Sequence, residues 1–537
     1  MEVYSRPFEM TKNLKKTIVA VWPLFLVFSV ALAVRVIALT NIDVINPDGI
    51  LYIYQAKAIA AGQWHLLNQC QLAYVSIYPF LIAFFQIFVT SWTLSAQLVS
   101  LCSGLGMLLV LYPLLRLFFN PVVSRLTTLL FAVTPLFVRY SVDAMRDATF
   151  WFFYTASIWV VLLHNRQKAG AISSDILLMA GSCLVLLAVW SRVEALVLLP
   201  ATCLFIAVSH GERKMVRLLA FLLPWICLAG AGWFVMSVHG YDILSLIRID
   251  EVAGKIFDPA GSYQVTREGL KALVNAHGNT LLGNFLQNAY HSVWLIAIGV
   301  ILSNAMESFF YPYVLFYLIG IGGIYKYIRQ RTGYLYMAII FFIALCLLYV
   351  HIVHVWIMTY RFIAILIIPS CVLAGLGLQK TCHFLSSSFR WREKNIIALL
   401  VIFIVSVALY KNLHPIERDK VVYVQIGDKI SQLAGNSQQV VGVAGKSSVV
   451  HMWIAFYANS EMKNPACHLS SVVEPTSVSD LKMEMKGKGF IYFLWEEFSW
   501  KSSSFGKKKA AFSNEFEELG HWYHCDSGEL VLFQLKE

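Results

Sequence analysis

The chain has 537 residues, of which 58% are hydrophobic and only 14% charged, and its mean hydropathy is +0.66. Soluble globular proteins carry roughly a quarter charged residues, so this composition excludes a protein that faces water on every side. The net charge of +11 does not point to nucleic acid, because the basic residues sit between apolar runs, where they orient a membrane protein.

At the N-terminus, Lys12, Lys15 and Lys16 precede the apolar run Ile18–Leu39. The length of that run and the lack of a small-residue cleavage pattern favour an uncleaved anchor over a signal peptide. Further apolar runs follow, and a helix needs about 20 such residues to cross the hydrocarbon core. Eleven spans are expected, at about 18–39, 94–115, 124–141, 148–163, 174–190, 195–209, 218–237, 309–325, 334–351, 363–379 and 395–411. With the N-terminus inside, every second loop is basic, from Arg116/Arg125 through Arg213/Lys214/Arg217 to Arg390/Arg392/Lys394. Two stretches, Ile77–Val89 and Val293–Leu302, would reverse that alternation as single crossings. They are expected to lie at the outer interface or to enter partway.

The outer face then holds loops at about 40–93 and 238–308 and a tail from about 418. In the tail, Val421–Val424, Val440–Val443, Gly489–Phe493 and Glu529–Phe533 read as strands, with helices at Gly427–Leu433 and Val449–Ala458. The expected fold is mainly α: a polytopic transmembrane helical bundle of about 11 spans (residues 1–417, N-terminus in, C-terminus out) with a small extracytoplasmic α/β domain at 418–537. Most of the ten cysteines lie in or beside spans. Cys467 and Cys525 lie in the tail, as a disulfide if the tail is exported or as two thiols otherwise. No Cys/His cluster has metal spacing, and no Walker, Rossmann or HExxH pattern appears.

Four outer-face sites carry chemistry. Asp48, between Pro47 and a run ending at Gly62, opens a short amphipathic helix, either as its N-cap or as a presented carboxylate. Asp143-Ala144-Met145-Arg146-Asp147 is either a second acidic site or a turn whose Asp147 caps the next helix. Arg192 and Glu194, between two apolar runs, lie near membrane depth, where ionisable groups are costly and often functional. A mutual ion pair holding the turn is the competing account. His351 and His354, ahead of Tyr360-Arg361-Phe362, suit either a metal or interfacial packing.

Several segments, in order, resemble the membrane-embedded GT-C glycosyltransferases, in particular the group related to protein O-mannosyltransferases and the lipid A aminoarabinose transferase. These are Asp48 with Tyr52, Tyr78-Pro79-Phe80-Leu81 followed by Ser95–Ser100, Thr134-Pro135 with Arg146-Asp147, Arg192-Val193-Glu194-Ala195 with Pro200, and Tyr360-Arg361-Phe362 with Pro369. In the tail, Ala455-Phe456-Tyr457-Ala458 resembles the soluble domain that such proteins often carry. The likeness departs from the family twice. Gly49 follows Asp48 where the family commonly has Asp-Glu, and Phe362 follows Arg361 where it has Tyr.

The resemblance implies a polyprenyl-phosphate-linked sugar donor, inversion at the anomeric carbon, and a glycolipid, glycan or protein acceptor. By residue matching Asp48 is the catalytic carboxylate and Asp147 its supporting acid. Tyr52, Lys57, Arg146, Arg192, Glu194, Tyr360 and Arg361 are the expected substrate-binding residues. A phosphate leaving group is a weak base and needs cationic stabilisation, which Arg361 or Arg192 supplies, while Asp48 takes the acceptor proton. No metal or other cofactor is expected, and the loop at 238–308 is expected to close over the donor. A bacterial inner membrane with the tail in the periplasm is the expected setting. The rival readings are a transporter or lipid flippase, which would place charge near the bilayer midplane, and a polysaccharide polymerase or ligase.

Overall fold

The computed structural model describes residues 6–69, 74–165, 172–209, 213–239, 259–434, 442–446, 449–460, 470–501, 512 and 514–536. The helices run α1 (Arg6–Thr40), α2 (Pro47–Ala60), α3 (Ile77–Phe85), α4 (Trp92–Arg116), α5 (Pro121–Val133), α6 (Pro135–Tyr140), α7 (Asp147–His164), α8 (Ile172–Ser191), α9 (Leu198–Val208) and α10 (Lys214–His239). They continue as α11 (Pro259–His277), α12 (Leu281–Ser308), α13 (Tyr311–Ile321), α14 (Ile324–Gln330), α15 (Thr332–Val355), α16 (Tyr360–Ile367), α17 (Cys371–Phe389) and α18 (Glu393–Asn412). The C-terminal region is α19 (Val421–Ala434), β1 (Val443–Gly445), α20 (Val450–Ala458), β2 (Ser470–Val472), α21 (Val478–Lys488), β3 (Tyr492–Glu496), α22 (Glu497–Trp500), β4 (Phe516–His524) and β5 (Gly528–Leu535). Two compact units emerge. The first comprises residues 1–37, 100–142 and 146–413, and the second 38–99, 143–145 and 414–537.

Among the described residues seven helices are long and apolar enough to cross a membrane, in α1, α4, α8, α10, α12, α15 and α18. Counting the pair α16/α17, bent by 66°, as one crossing makes eight. Eleven spans were expected, and proline breaks two of the stretches read as straight. Pro135 has no N–H and disfavours helical backbone at Thr134, so the stretch at 124–141 breaks into α5 and α6. The stretch at 363–379 bends where Pro369 separates α16 from α17. The stretch at 195–209 forms α9, only 11 residues long, behind a 3-10 turn at Val193–Val197. In the other direction, Val293–Leu302 was expected at the outer interface or entering partway. It lies inside α12, whose 28 residues are capped by Thr280 and qualify as a span. Of the expected lid, residues 240–258 fall outside the described residues. What is described is α11, joined to the end of α15 by Ser262 Oγ to His354 Nδ1 (2.9 Å) and Trp356 Nε1 to Thr266 Oγ1 (3.0 Å).

A fully buried charge lies well inside the α1 span. Arg35, 1% exposed in α1, donates from Nη1 to the Ala132 carbonyl at 2.8 Å. Asn412, at the end of α18, donates to the Val133 carbonyl at 2.8 Å, and Thr134 Oγ1 to that of Leu130 at 2.7 Å. The broken end of α5 leaves the Ala132 and Val133 carbonyls to side-chain donors, and in a dry interior each unmet group costs several kcal/mol, so Arg35 and Asn412 complete the helix end. Arg35 thus ties α1 to the end of α5.

The second unit is built on a five-stranded sheet of order β2-β1-β3-β5-β4. β1 pairs parallel with β2 and β3, while β5 runs antiparallel to both β3 and β4. Every residue of β3 is buried, as befits a central strand covered on both faces. Phe493, Trp495, Trp500, Phe512, Phe516 and Phe533 form its core. Val421–Val424, expected as a strand, begins helix α19 instead. Val422, Tyr423, Ile426, Gly427 and Ile430 share one buried face, and that packing overrides the β-branched composition. Strand β4 escaped the sequence reading because its alternation is interrupted by a bulge between Glu518 and Gly520. Residues ahead of α2 belong here as well. The Trp453 indole donates to the Ile45 carbonyl (2.8 Å), and the Ile45 amide donates to the Tyr457 hydroxyl (3.1 Å). Cys467 lies outside the described residues, and so does its pairing with Cys525.

Candidate active site

In the second unit, Asn46 caps α2, its side chain accepting from the Asp48 amide at 3.0 Å, and Pro47 takes the first helical position. Asp48 is therefore not the cap. Its half-buried carboxylate sits in the first turn, where the helix dipole favours negative charge. Asp143 braces the same turn, its Oδ1 accepting from the Asn46 amide (3.2 Å) and the Ala144 amide (2.8 Å). Gly49 faces Ala144 so closely that a Cβ added there would lie 2.7 Å from the Ala144 carbonyl oxygen and 2.8 Å from its Cβ. The family's second acidic residue has no room here, which accounts for that departure.

Further along α2, Tyr52 is 3% exposed and meets Tyr78 edge-on at 5.4 Å between ring centroids. Tyr78 donates to the Ala96 carbonyl at 2.7 Å, so the two family-like stretches 78–81 and 95–100 are joined by a hydrogen bond. Lys57 is also buried, its ammonium 6.0 Å from the centre of the Trp92 ring, and burial lowers its pKa to about 8.

The first unit holds the other candidates. Arg146 takes the N-cap position of α7 without a side-chain cap, and Asp147 is the first helical residue, fully buried. Arg192 leaves α8 in extended backbone (φ −150°, ψ 131°), which turns its side chain inward. Its guanidinium donates from Nη1 to Asp147 Oδ1. It also grips Glu194 as a fork, Nη2 to Oε1 at 2.9 Å and Nε to Oε2 at 3.1 Å. The expected Arg192–Glu194 pair exists, then, and Asp147 completes it as a triad. Burial pushes the Glu194 carboxyl up, but the charge and hydrogen bonds of Arg192, with Arg146 beyond, outweigh that and bring it down to about 2. Asp147 Oδ2 is buried and accepts no hydrogen bond among the described residues.

The Arg192 guanidinium lies over the Phe362 ring at 4.7 Å, and His351 packs on that ring at 5.0 Å. The segment Tyr360–Phe362 thus comes to the triad through the aromatic ring, and the Arg361 guanidinium carbon is 5.9 Å from the same ring. Tyr360 is 40% exposed and hydrogen-bonds Glu307. His351 therefore packs on an aromatic ring, while His354 hydrogen-bonds Ser262. Among the described residues the one His/Cys/Asp/Glu group whose ligand atoms converge is Asp419, His524, Cys525 and Asp526, outside these sites. Sequence reasoning missed Asn46, Asp143, Phe362 and the Gly49–Ala144 contact. The Asn-Pro pair was a legible cap signal, and the others depend on long-range packing.

A family described as dolichyl-phosphate-mannose-protein mannosyltransferase matches residues 76–237, which include Asp147, Arg192 and Glu194. Among solved structures, ArnT from Cupriavidus metallidurans bound to undecaprenyl phosphate is 11% identical, with a TM-score of 0.56 over 96% of this chain and 98% of that one. The fold is that of the GT-C glycosyltransferases. The archaeal oligosaccharyltransferase AglB from Archaeoglobus fulgidus, in complex with an inhibitory peptide and a dolichol-phosphate, is 11% identical, with a TM-score of 0.53 over 95% of this chain and 74% of that one. No curated protein matches. Family match and fold together support a GT-C glycosyltransferase, an integral membrane enzyme.

Proposed function

We propose that this GT-C enzyme moves a sugar from a polyprenyl-phosphate donor to an acceptor hydroxyl or phosphate, with inversion, on the outer face of a bacterial inner membrane. The observation that carries the reading is the buried Asp147–Arg192–Glu194 triad, inside the family-matched segment and stacked on Phe362. The donor class follows the polyprenyl phosphates held by the fold neighbours. Arg192 already serves two carboxylates, so withdrawing it to bind a phosphate would strand buried charge. Its task is to hold Asp147 in place. Arg361, at the head of α16, takes the phosphate by family matching, and a positioned cation in a dry site strongly stabilises the negative charge that develops there. Asp48 takes the acceptor proton, a contribution worth about 10²–10⁴-fold. Tyr52 and Lys57 support the α2 turn that presents Asp48. The second unit would face the periplasm.

The test is sugar transfer by purified protein in liposomes, with synthetic polyprenyl-phosphate sugars and envelope glycolipid or protein acceptors. Asp48→Asn should lose transfer at least a hundredfold while donor binding persists. An unchanged rate would remove Asp48 from the mechanism. Transport of the intact donor across the bilayer without transfer would overturn the enzyme reading.

A further inference from the structure

The β4–β5 hairpin ends in a three-residue turn, Cys525–Ser527, closed by Gly528 at φ +72°. That turn curls His524, Cys525 and Asp526 toward Asp419, which lies in the 3-10 turn Arg418–Lys420 ahead of α19. One imidazole nitrogen, one thiol sulfur and two carboxylate oxygens come within 4.8 Å of one another. We propose that Asp419, His524, Cys525 and Asp526 form a binding site for a zinc-class divalent transition metal in the second unit.

Donor chemistry and geometry both support the assignment. Nitrogen, thiolate and carboxylate are the donors zinc takes, in fours. Zinc bonds of about 2.0 Å at a tetrahedral angle set neighbouring ligand atoms about 3.3 Å apart. His524 Nε2 and Asp419 Oδ2 are 3.2 Å apart, a separation that serves equally for a shared proton and for two ligands on one ion. The ring is also held from behind, as a ligand histidine requires. His524 is 4% exposed, and its Nδ1 lies 3.1 Å from the Tyr423 hydroxyl, which in turn lies 3.3 Å from Ser527 Oγ. The Tyr423 hydroxyl can either give or take that hydrogen bond. Without metal, Nε2 keeps the proton shared with Asp419, and Nδ1 accepts from Tyr423 and, at 3.3 Å, from the Asp526 amide. With metal, Nδ1 carries the ring proton and donates to Tyr423, Nε2 binds the ion, and the Cys525 thiol releases its proton to solvent. The other three ligands are exposed, so the ion has a path in. By joining the turn before α19 to the far hairpin, it would fasten the two ends of the 414–537 segment.

The experiment uses full-length protein in detergent, stripped with chelator and dialysed against zinc or cobalt. Wild type should retain one more zinc per chain than the double variant Asp419→Asn/Cys525→Ser, whose exposed positions spare the core. Cobalt should produce a thiolate-to-metal charge-transfer band that Cys525→Ser abolishes, and Asp419→Asn should weaken binding at least tenfold. Equal zinc in wild type and double variant, with matching unfolding temperatures in chelator, would overturn the site. So would peptide mapping that finds Cys525 joined to Cys467 in the mature protein.

Discussion

The guanidinium of Arg192 stacks over the ring of Phe362, its central carbon 4.7 Å from the ring centroid. Phe362 is one of the two positions where the chain departs from the GT-C pattern it resembles, and the departure keeps the part that matters for this contact. A phenyl face attracts a cation as a phenol face does, and the interaction is worth about 0.5–2 kcal/mol where water is excluded. Phe362→Tyr should therefore leave thermal stability in detergent nearly unchanged. Phe362→Leu should lower it by about 1 kcal/mol and slow transfer, since Arg192 would lose one of the walls that orient it.

At the other departure the expected outcome is the opposite. Gly49→Glu, which restores the family's acidic pair, forces a Cβ against the Ala144 carbonyl and should destabilise by about 1–3 kcal/mol. Ala144→Gly on top of it should recover part of the loss, because it removes the side-chain clash and leaves the carbonyl one. Thermal unfolding of the four proteins provides the check.

Asp147 and Arg192 are each nearly inaccessible, at 0% and 4%. Removing one partner of a buried pair costs about 3–5 kcal/mol, and the lower end applies because Glu194 still holds Arg192 after Asp147→Ala. A double-mutant cycle with Arg192→Met should return a coupling energy of at least about 1 kcal/mol. Additive losses would show that the triad is not a unit.

Lys57 gives a pH signature. Its pKa is lowered to about 8 in the folded protein, against about 10.4 in an unfolded chain. Between those values the unfolded state holds a proton that the folded state has released, so stability should rise with pH across that window. Below pH 8 both states are charged and the cost of burying the ammonium is fully felt. Lys57→Met should flatten the rise and be more stable than wild type at pH 7, as read from unfolding temperatures across pH 7–10.5.

The bundle and the family were legible because their signals are local: apolar run length, and motifs such as Arg192-Val193-Glu194 that keep their order along the chain. The sites of breakage were legible in principle too, since Thr134-Pro135 and Pro369 stand inside runs counted as straight spans. Other features were not, because they depend on partners distant in sequence. Asn46 meets Asp143 across 97 positions, Gly49 needs Ala144 to reveal why it is glycine, and Phe362 means little until Arg192 lies over it. Val421–Val424 was misread for the same reason: its residues favour strands, and only the face buried behind them makes a helix.

The frayed end of α5 bears on how the protein is made. Its bare carbonyls are met by Arg35 from the first crossing and by Asn412 from the last. A ribosome delivers those two side chains nearly four hundred codons apart, so the middle of the bundle must wait, partly unsealed in lipid, until the final helix arrives. Truncation just short of that helix should therefore send the nascent chain to quality-control proteolysis even though most of its crossings are already in place.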